Sequence, residues 1–495
     1  MSQSDSSSDV CSSDLESAAP FCTAGKRGRD MEQFFQLKQH GTTVRTEIMA
    51  GFTTFMAMAY ILMVNAGMFA ELEGQVTYNA VYIATAISAV IGTVLIGLLS
   101  NLPLAQASGM GLNAYFVYTV CFGIGLSYAN ALVLVLADGI IFILLTITGL
   151  RRKIFDAIPA AVRMAIPAGI GLFIAFLGLQ NAGLVVDSST LVGLASFNLY
   201  SGTATWGSIM PMLVTFFALL AIAAMSRRGV KGSVLFGILG GAVAYYILGF
   251  TVPGFYDGFA ESLSFNPFTA FSEFAQLSFG KVFTEGFNFT PYIEANGMGS
   301  FVIMFITTAL AFCMVDMFDT LGTLYGACAR GGLLTKEGEV PHMDRAMLAD
   351  AIATTTGAIC GTSTVTTFVE SSAGVGEGGR TGLASMSTAV FFFIAMFLSP
   401  LAQLIPSCAT AAALIYVGVL MMNCVREIEW TSAEIAVPAF LTVAMMPFTY
   451  SISFGIAFGL ISYTFIALFT GKAREIKPAT WIIVVLFALT FFLTH

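Results

Sequence analysis

Long apolar runs separated by short polar connections occupy most of the chain. From Ile48 onward, apolar runs of about 20 residues recur, which is the length an α-helix needs to cross about 30 Å of hydrocarbon. This pattern predicts about fourteen membrane spans. The first seven cover approximately residues 47–69, 79–99, 104–122, 128–150, 157–179, 205–225 and 232–250. The second seven cover approximately residues 299–329, 345–361, 365–380, 382–404, 407–424, 434–449 and 451–470. A last apolar stretch at 480–494 is only marginally long enough to cross.

Composition agrees with a membrane location and excludes other classes of protein. The chain is 57% hydrophobic and 10% charged over 495 residues, too few charges for a water-soluble surface of that size. The net charge of -8 gives no indication of nucleic-acid binding. With three histidines and no C-x-x-C pair, we expect no metal site, no cofactor and no disulfide framework. No H-E-x-x-H, nucleophile elbow or phosphate loop occurs, so we do not expect an enzyme.

Loop charges predict the orientation of the chain. Clusters of Arg and Lys precede the first span and follow the fourth, sixth, eighth and fourteenth spans, so all lie on one side if the N-terminus is cytoplasmic. The connection at 251–298 is mostly acidic and is expected on the outside. Residues 1–35 are rich in serine and contain no apolar run, which predicts a disordered tail or an artefact. We therefore expect a multi-pass protein of the plasma membrane, or of the inner membrane in a bacterium.

The two sets of spans resemble each other weakly. Pro159 and Pro406 are followed at the same offset by Gly171 and Gly418, and other short matches occur in the same order. Because seven is odd, the second set enters from the opposite face, which is the inverted repeat typical of secondary transporters. The predicted division is a tail at 1–35, a first repeat at 36–250, the outer loop at 251–298, a second repeat at 299–471 and a basic linker with an apolar segment at 472–495.

Few acidic residues lie inside predicted spans, where a charge needs a partner, a cavity or a function. The candidates for such a role are Asp138, Asp316, Asp319 and Glu370. The spacing of Asp316 and Asp319 puts both on one helix face, so both could line one cavity. Asp138 is expected to be a structural hydrogen-bonding residue. Three further charged residues near span ends, where solvated or snorkelling side chains are the simpler interpretation, are Glu47, Arg163 and Glu427.

Two spans are interrupted by polar or glycine-rich sequence at corresponding places of the two halves. In the tenth span, TSTVTTFVESSAGVGEGGRTG at 362–382 predicts a short strand followed by a half-helix that begins near Glu370. In the third span, NLPLAQASGMGLNAYF at 101–116 is interrupted before Asn113. Irregular backbone cannot face lipid, so both segments are expected to line a cavity enclosed by protein. Their matching positions predict a central binding site.

Four stretches resemble a known family. SGMGLNAYF, VDMFDTLGTLYG, STVTTFVESSAGVGEGGRTGL and MPFTYSISFGIAFG are similar to segments of the AzgA-like purine permeases, within the nucleobase–cation symporter-2 (nucleobase–ascorbate transporter) superfamily. The resemblance implies an all-α membrane protein with fourteen spans in a seven-plus-seven inverted repeat, divided into a core and a gate domain. It also implies short strands, in the third and tenth spans, that pair at mid-membrane. The family usually has proline where this chain has Ser108, so we expect a freed N–H and a looser bend there.

The resemblance also implies which residues form or support a purine site. Carried over residue by residue, they are Gly111 and Asn113, Asp316 and Asp319, and Glu370 and Ser371. Purines offer N–H donors, ring-nitrogen acceptors and a flat face, which suit carboxylates, an amide and apolar walls. Glu370 and Asp319 are the candidates for carrying a coupled proton. The implied partners are a purine base, a proton and the lipid bilayer, with a homodimer left open.

The implied function is import of hypoxanthine, guanine or adenine by proton symport, with elevator-type alternating access. The leading alternative is an anion transporter of the same architecture, of the sulfate or bicarbonate type. A carboxylate-lined site argues against an anionic substrate. A channel is disfavoured because broken spans in an inverted repeat are typical of transporters. The order of preference among the purines stays open at this point.

Overall fold

The computed structural model describes residues 32–149, 158–188, 191–252, 266–335 and 339–493. The helices of the first half are α1 (Val44–Met58), α2 (Tyr60–Ala70), α3 (Tyr78–Ser100), α4 (Met110–Ala114), α5 (Tyr128–Ile147), α6 (Ala160–Asn181), α7 (Trp206–Arg227) and α8 (Ser233–Thr251). Helix α4 continues into a π-helical segment, Tyr115–Gly123. Residues 1–31 of the predicted tail (1–35) and the basic cluster at 151–153 lie outside the described residues, whereas residues 32–34 are helical and Phe35 is buried.

The second half of the chain contains the remaining helices. Its helices are α9 (Pro267–Leu277), α10 (Lys281–Thr284), α11 (Thr290–Gly331), α12 (Met343–Cys360), α13 (Ser371–Gly376), α14 (Gly382–Ala395), α15 (Ser399–Ala402), α16 (Ser407–Met421), α17 (Ala433–Phe448), α18 (Ile452–Phe469) and α19 (Pro478–Leu493). Helices α9 and α10 lie in the connection at 251–298, where the hydropathy pattern predicted none. Helix α11 begins earlier than the predicted eighth span and is kinked at Gly297.

The length and apolar character of the helices identify a multi-pass membrane protein. In the described part of the chain, ten helical segments are long and apolar enough to cross a bilayer, α1 and α2 together forming the first. The predicted third and tenth spans are broken by strands, and α17 is too short for this criterion. An all-α membrane protein is confirmed, whereas the count of fourteen stays a prediction.

Two short strands, one from each half, pair in the interior. Strand β1 (Gln106–Ser108) is antiparallel to β4 (Val365–Thr367), with Ala107 opposite Thr366. All six residues are buried, so their backbone groups need partners within the protein. A separate hairpin, β2 (Val185–Ser188) and β3 (Leu191–Leu194), follows α6. The strands predicted in the third and tenth spans are therefore present and paired.

The helices pack into two groups. The first group surrounds the strand pair and consists of α1, α3, α5, α11, α12, α13 and α14. The second group consists of α6, α7, α8, α16, α17 and α18. In the second group, α6 and α16 cross at Gly171 and Gly418, where a Cβ on Gly418 would lie 2.3 Å from the Gly171 carbonyl oxygen. The two glycines that occupy matching positions in the sequence are thus the contact point of α6 and α16. The helices approach this closely because neither residue has a side chain.

Candidate functional site

The pairing of β1 with β4 divides the centre of the protein into two faces, because side chains alternate along a strand. On one face, the Thr366 hydroxyl donates to Asp319 Oδ2 at 3.2 Å. On the other face, Gln106 Nε2 donates to Asp350 Oδ1 at 2.9 Å and to Thr367 Oγ1 at 3.2 Å. Asp350 Oδ2 also accepts from Thr320 of α11 at 2.8 Å. The second face is fixed to the surrounding helices, whereas the first presents Asp319.

Asp319 and Glu370 lie together beside the first face. Both residues are half-buried, although they lie within the helical assembly. They are close enough for their charges to interact. Glu370 follows β4 after two further residues and stands at the N-terminus of α13, which begins at Ser371 as the sequence predicted. A ligand at this place would meet two acceptor groups, one from α11 and one from the interrupted tenth span.

Tyr60 contacts Glu370 from the first span. Its hydroxyl donates to Glu370 Oε1 at 2.7 Å. The helix of the first span is interrupted between Met58 and Tyr60, so Tyr60 is the first residue of α2. Its side chain is fully buried. A tyrosine inside an apolar run gave no sequence signal of this contact, since its spacing fits lipid-facing or core packing equally well.

Asn113 contacts Ser108 of β1, whereas Gly111 packs against Ile170 of α6. Asn113 is fully buried, and its Oδ1 accepts from the Ser108 hydroxyl at 2.6 Å. Ser108 thus replaces the usual proline of the family motif with a side-chain bond to Asn113, so the segment is tied together where a looser bend was expected. A Cβ on Gly111 would lie 2.5 Å from Ile170 Cγ2, so this glycine lets α6 approach.

Asp316 and Asp138 belong to the buried scaffold. The Thr354 hydroxyl of α12 donates to Asp316 Oδ2 at 3.4 Å, whereas Asp319 contacts β4. Asp316 is fully buried, so the two aspartates, although one turn apart, do not share the accessible face. Asp138 is also fully buried and accepts from Thr364 at 3.4 Å, as a structural residue would. In the described ranges, no group of three or more His, Cys, Asp or Glu side chains could hold a metal ion.

Two residues next to the site stabilise the backbone breaks. The Ser371 hydroxyl accepts from the Ala105 N–H at 3.0 Å and so joins α13 to the segment before β1. Glu47, interpreted from the sequence as a solvated or snorkelling charge, is fully buried. It accepts from the backbone N–H groups of Arg380 at 2.8 Å, Thr381 at 3.3 Å and Ala384 at 3.1 Å. The interpretation was wrong because the start of α14 supplies three amide donors that replace water.

A cavity of about 1040 Å³ adjoins the site along α11. It includes Phe318, Leu321 and Gly322, which neighbour Asp319 in sequence, but neither Asp319 nor Glu370 lines it. Arg163 and Arg345, near the starts of α6 and α12, lie at its edge. The cavity therefore lies between the connection before α12 and the part of α11 that neighbours Asp319 in sequence.

At the opposite end, hydrogen bonds join elements of the two halves beside a second cavity of about 500 Å³, which Glu71 and Asn181 line. Glu71, just beyond α2, accepts from the Tyr118 hydroxyl at 2.8 Å and from Asn181 of α6 at 3.3 Å. Burial raises the pKa of Glu71, and these two hydrogen bonds oppose that rise. The Thr119 hydroxyl also donates to the Tyr450 carbonyl at 2.7 Å. These contacts join the interrupted third span to α6 and to the turn before α18.

Asp350, which contacts the second face of the strand pair, was not among the residues selected from the sequence, although the sequence contained a signal for it. It is a carboxylate in the predicted ninth span, and the same criterion that selected Asp316 applies to it. Thr366 stands in the polar run that was recognised, but the face it occupies depends on the register of β1 with β4. Neither that register nor the role of Tyr60 follows from hydropathy.

Comparisons with known proteins agree on one family. A model described as "Permease family" (Xan_ur_permease) matches residues 45–458. The guanine/hypoxanthine permease PbuG of Bacillus subtilis is 40% identical over 471 residues, covering 93% of this chain and 99% of that protein. The adenine permease AdeP of Escherichia coli is 36% identical over 460 residues, covering 93% of this chain and 95% of that protein. The transmembrane domain of a cyanobacterial bicarbonate transporter, BicA, has a similar fold, with a TM-score of 0.57 and 16% identity over 83% of this chain and 96% of that one.

Proposed function

Since the chain belongs to the purine permeases of the nucleobase–cation symporter-2 family, and is thus a multi-pass transporter rather than an enzyme, we propose that it imports purine bases by proton symport. The observation that carries this proposal is the pair Asp319 and Glu370, two half-buried carboxylates whose charges interact at the centre of a membrane protein. Charges in such a place require a function or a partner.

The chemistry of the two carboxylates fits a purine. Hypoxanthine, guanine and adenine each carry ring or exocyclic N–H groups, and carboxylate oxygens accept such bonds strongly. Asp319 and Glu370 contact the substrate in this proposal, while Asn113, Gly111, Asp316 and Ser371 support the site from behind. The support consists of the Ser108 contact of Asn113, the Thr354 contact of Asp316 and the Ala105 contact of Ser371.

The same pair accounts for proton coupling. Two negatively charged carboxylates repel each other in a medium of low dielectric. This repulsion is reduced when the pair takes up one proton. A bound purine that donates N–H bonds to both changes this repulsion, so substrate binding and proton binding are linked. Glu370 and Asp319 are therefore the proton-carrying candidates.

We propose that alternating access uses the two helix groups. We assign the group around the strand pair to a core domain and the second group to a gate domain, within fourteen spans in a seven-plus-seven inverted repeat. The core carries the site past the gate in an elevator movement. The cavity at the basic end, about 1040 Å³ against about 500 Å³ for the cavity beside Glu71, supports an inward-open state. In this proposal the protein lies in the cell membrane with a cytoplasmic N-terminus, on the side to which its basic loops are assigned.

Uptake of radiolabelled hypoxanthine into cells or proteoliposomes tests the proposal. Unlabelled adenine and guanine should compete, whereas sulfate and bicarbonate should not; the reverse result would favour the anion transporter whose fold is similar. An uncoupler should abolish accumulation above equilibrium.

Glu370→Gln should abolish concentrative uptake, because the substitution removes the charge while keeping the side-chain size. Glu377→Gln is the matched control, since Glu377 lies nearby in sequence but forms an ion pair with Lys231. Accumulation at the wild-type level in Glu370→Gln would refute the assignment.

A further inference from the structure

We propose that Tyr60 is a positioning residue for substrate binding, and that it acts by fixing the orientation of the Glu370 carboxylate. This inference rests on the proposed function, in which Glu370 contacts the purine. Tyr60 belongs to the first span and Glu370 to the interrupted tenth, so the contact joins the two halves of the chain at the site.

The contact orients one particular oxygen. The Tyr60 hydroxyl donates to Glu370 Oε1 at 2.7 Å, and among the described residues it is the one side-chain donor to this carboxylate. Oε1 is therefore occupied. The other oxygen is left to accept an N–H group from a ligand, since a carboxylate offers lone pairs on both oxygens.

Tyr60 itself has little freedom to move. It is fully buried and is among the largest side chains without solvent exposure. Tyr60 is the first residue of α2, immediately after the interruption of the first span at Ala59. The backbone at the interruption is held by a hydrogen bond from the Ala59 N–H to the Phe55 carbonyl at 2.7 Å. The hydroxyl also lies within electrostatic reach of Asp319. A rigid donor in contact with Glu370 can hold this flexible side chain in one rotamer, which reduces the entropy lost on binding.

Removing only the hydroxyl isolates this role. In Tyr60→Phe the ring keeps its packing, but Glu370 loses its donor and can adopt other rotamers. Loss of a hydrogen bond to a charged group should raise the KM for hypoxanthine by about 10- to 100-fold. The maximal uptake rate per transporter should stay within about twofold, because the domain movement does not depend on this hydroxyl.

Tyr82→Phe is the matched control. Tyr82 is also a buried tyrosine, and its hydroxyl donates to the Ala395 carbonyl at 2.9 Å, away from the site. Both variants should lose similar thermal stability in detergent, whereas only Tyr60→Phe should raise KM. A residue with a merely structural role would lower stability or expression and leave KM unchanged.

The outcomes separate this inference from the proposed function. If the wild-type protein does not take up purines, both fail. If it does, and KM in Tyr60→Phe stays within about threefold of the wild-type value, only the positioning role is overturned. A Tyr60→Phe protein that does not fold would also overturn it, because the hydroxyl would then serve the fold. A raised KM with retained maximal rate, absent in Tyr82→Phe, supports it.

Discussion

A methyl group added at Gly109 would test how the strand pair holds Asp319. Gly109 follows β1 with φ -69° and ψ 126°, a conformation that alanine adopts without strain. The added Cβ would lie 2.4 Å from Thr366 Cγ2 and 3.8 Å from Asp319 Oδ2. Since non-bonded carbon atoms sit about 3.5–4.0 Å apart, Thr366 must move by about 1 Å. Thr366 is the residue whose hydroxyl donates to Asp319.

The size of the effect follows from overpacking. Forcing a methyl group into a packed interior costs about 1–3 kcal/mol. If that energy is spent on displacing Thr366 and Asp319, affinity for hypoxanthine falls by about 5- to 150-fold, at about 1.4 kcal/mol for each factor of ten. Thr366→Ser removes the clashing Cγ2 and keeps the hydroxyl. The double variant Gly109→Ala/Thr366→Ser should therefore bind within about threefold of the wild-type protein.

The assay is binding of radiolabelled hypoxanthine to purified protein, with melting temperature measured on the same samples. Gly326→Ala is the control, since a Cβ at this position of α11 would meet no atom within 4 Å. Unchanged affinity in Gly109→Ala would refute the reasoning. So would a double variant that is no better than Gly109→Ala, because the clash would then not act through Thr366.

Two further predictions concern residues that join the interrupted segments to their neighbours. Ser371→Ala leaves the buried Ala105 N–H without its acceptor, so we expect a loss of about 1–3 kcal/mol of stability, seen as a lower melting temperature, with hypoxanthine KM within about twofold; a large change in KM at unchanged stability would instead assign Ser371 to the ligand. Glu47→Ala removes the acceptor of three amides at the start of α14 and should cost about 2 kcal/mol, measured by denaturation in detergent, whereas an unchanged melting temperature would contradict the capping role.

Hydropathy and residue type predicted the order of the spans, the two interrupted segments and the half-helix that begins at Ser371. These features depend on local composition, because polar backbone in a membrane has few alternatives. The separation of Asp316 from Asp319 could not be predicted, since both lie on one side of α11 and only the neighbouring elements distinguish them. Glu47 was misjudged for the same reason. Its amide partners are more than 300 residues away in the chain.

The three-residue strands also limit how this protein can change. Thr366 and Thr367 are adjacent in sequence but lie on opposite faces, one next to Asp319 and the other next to Asp350. One residue inserted or deleted before Thr366 would exchange these faces, so side chains that now face Asp350 would face Asp319 and the proposed substrate. New substrate preferences can therefore arise by exchanging side chains in this segment, while its length must stay constant. The β2–β3 hairpin, whose residues are largely exposed, has no such restriction.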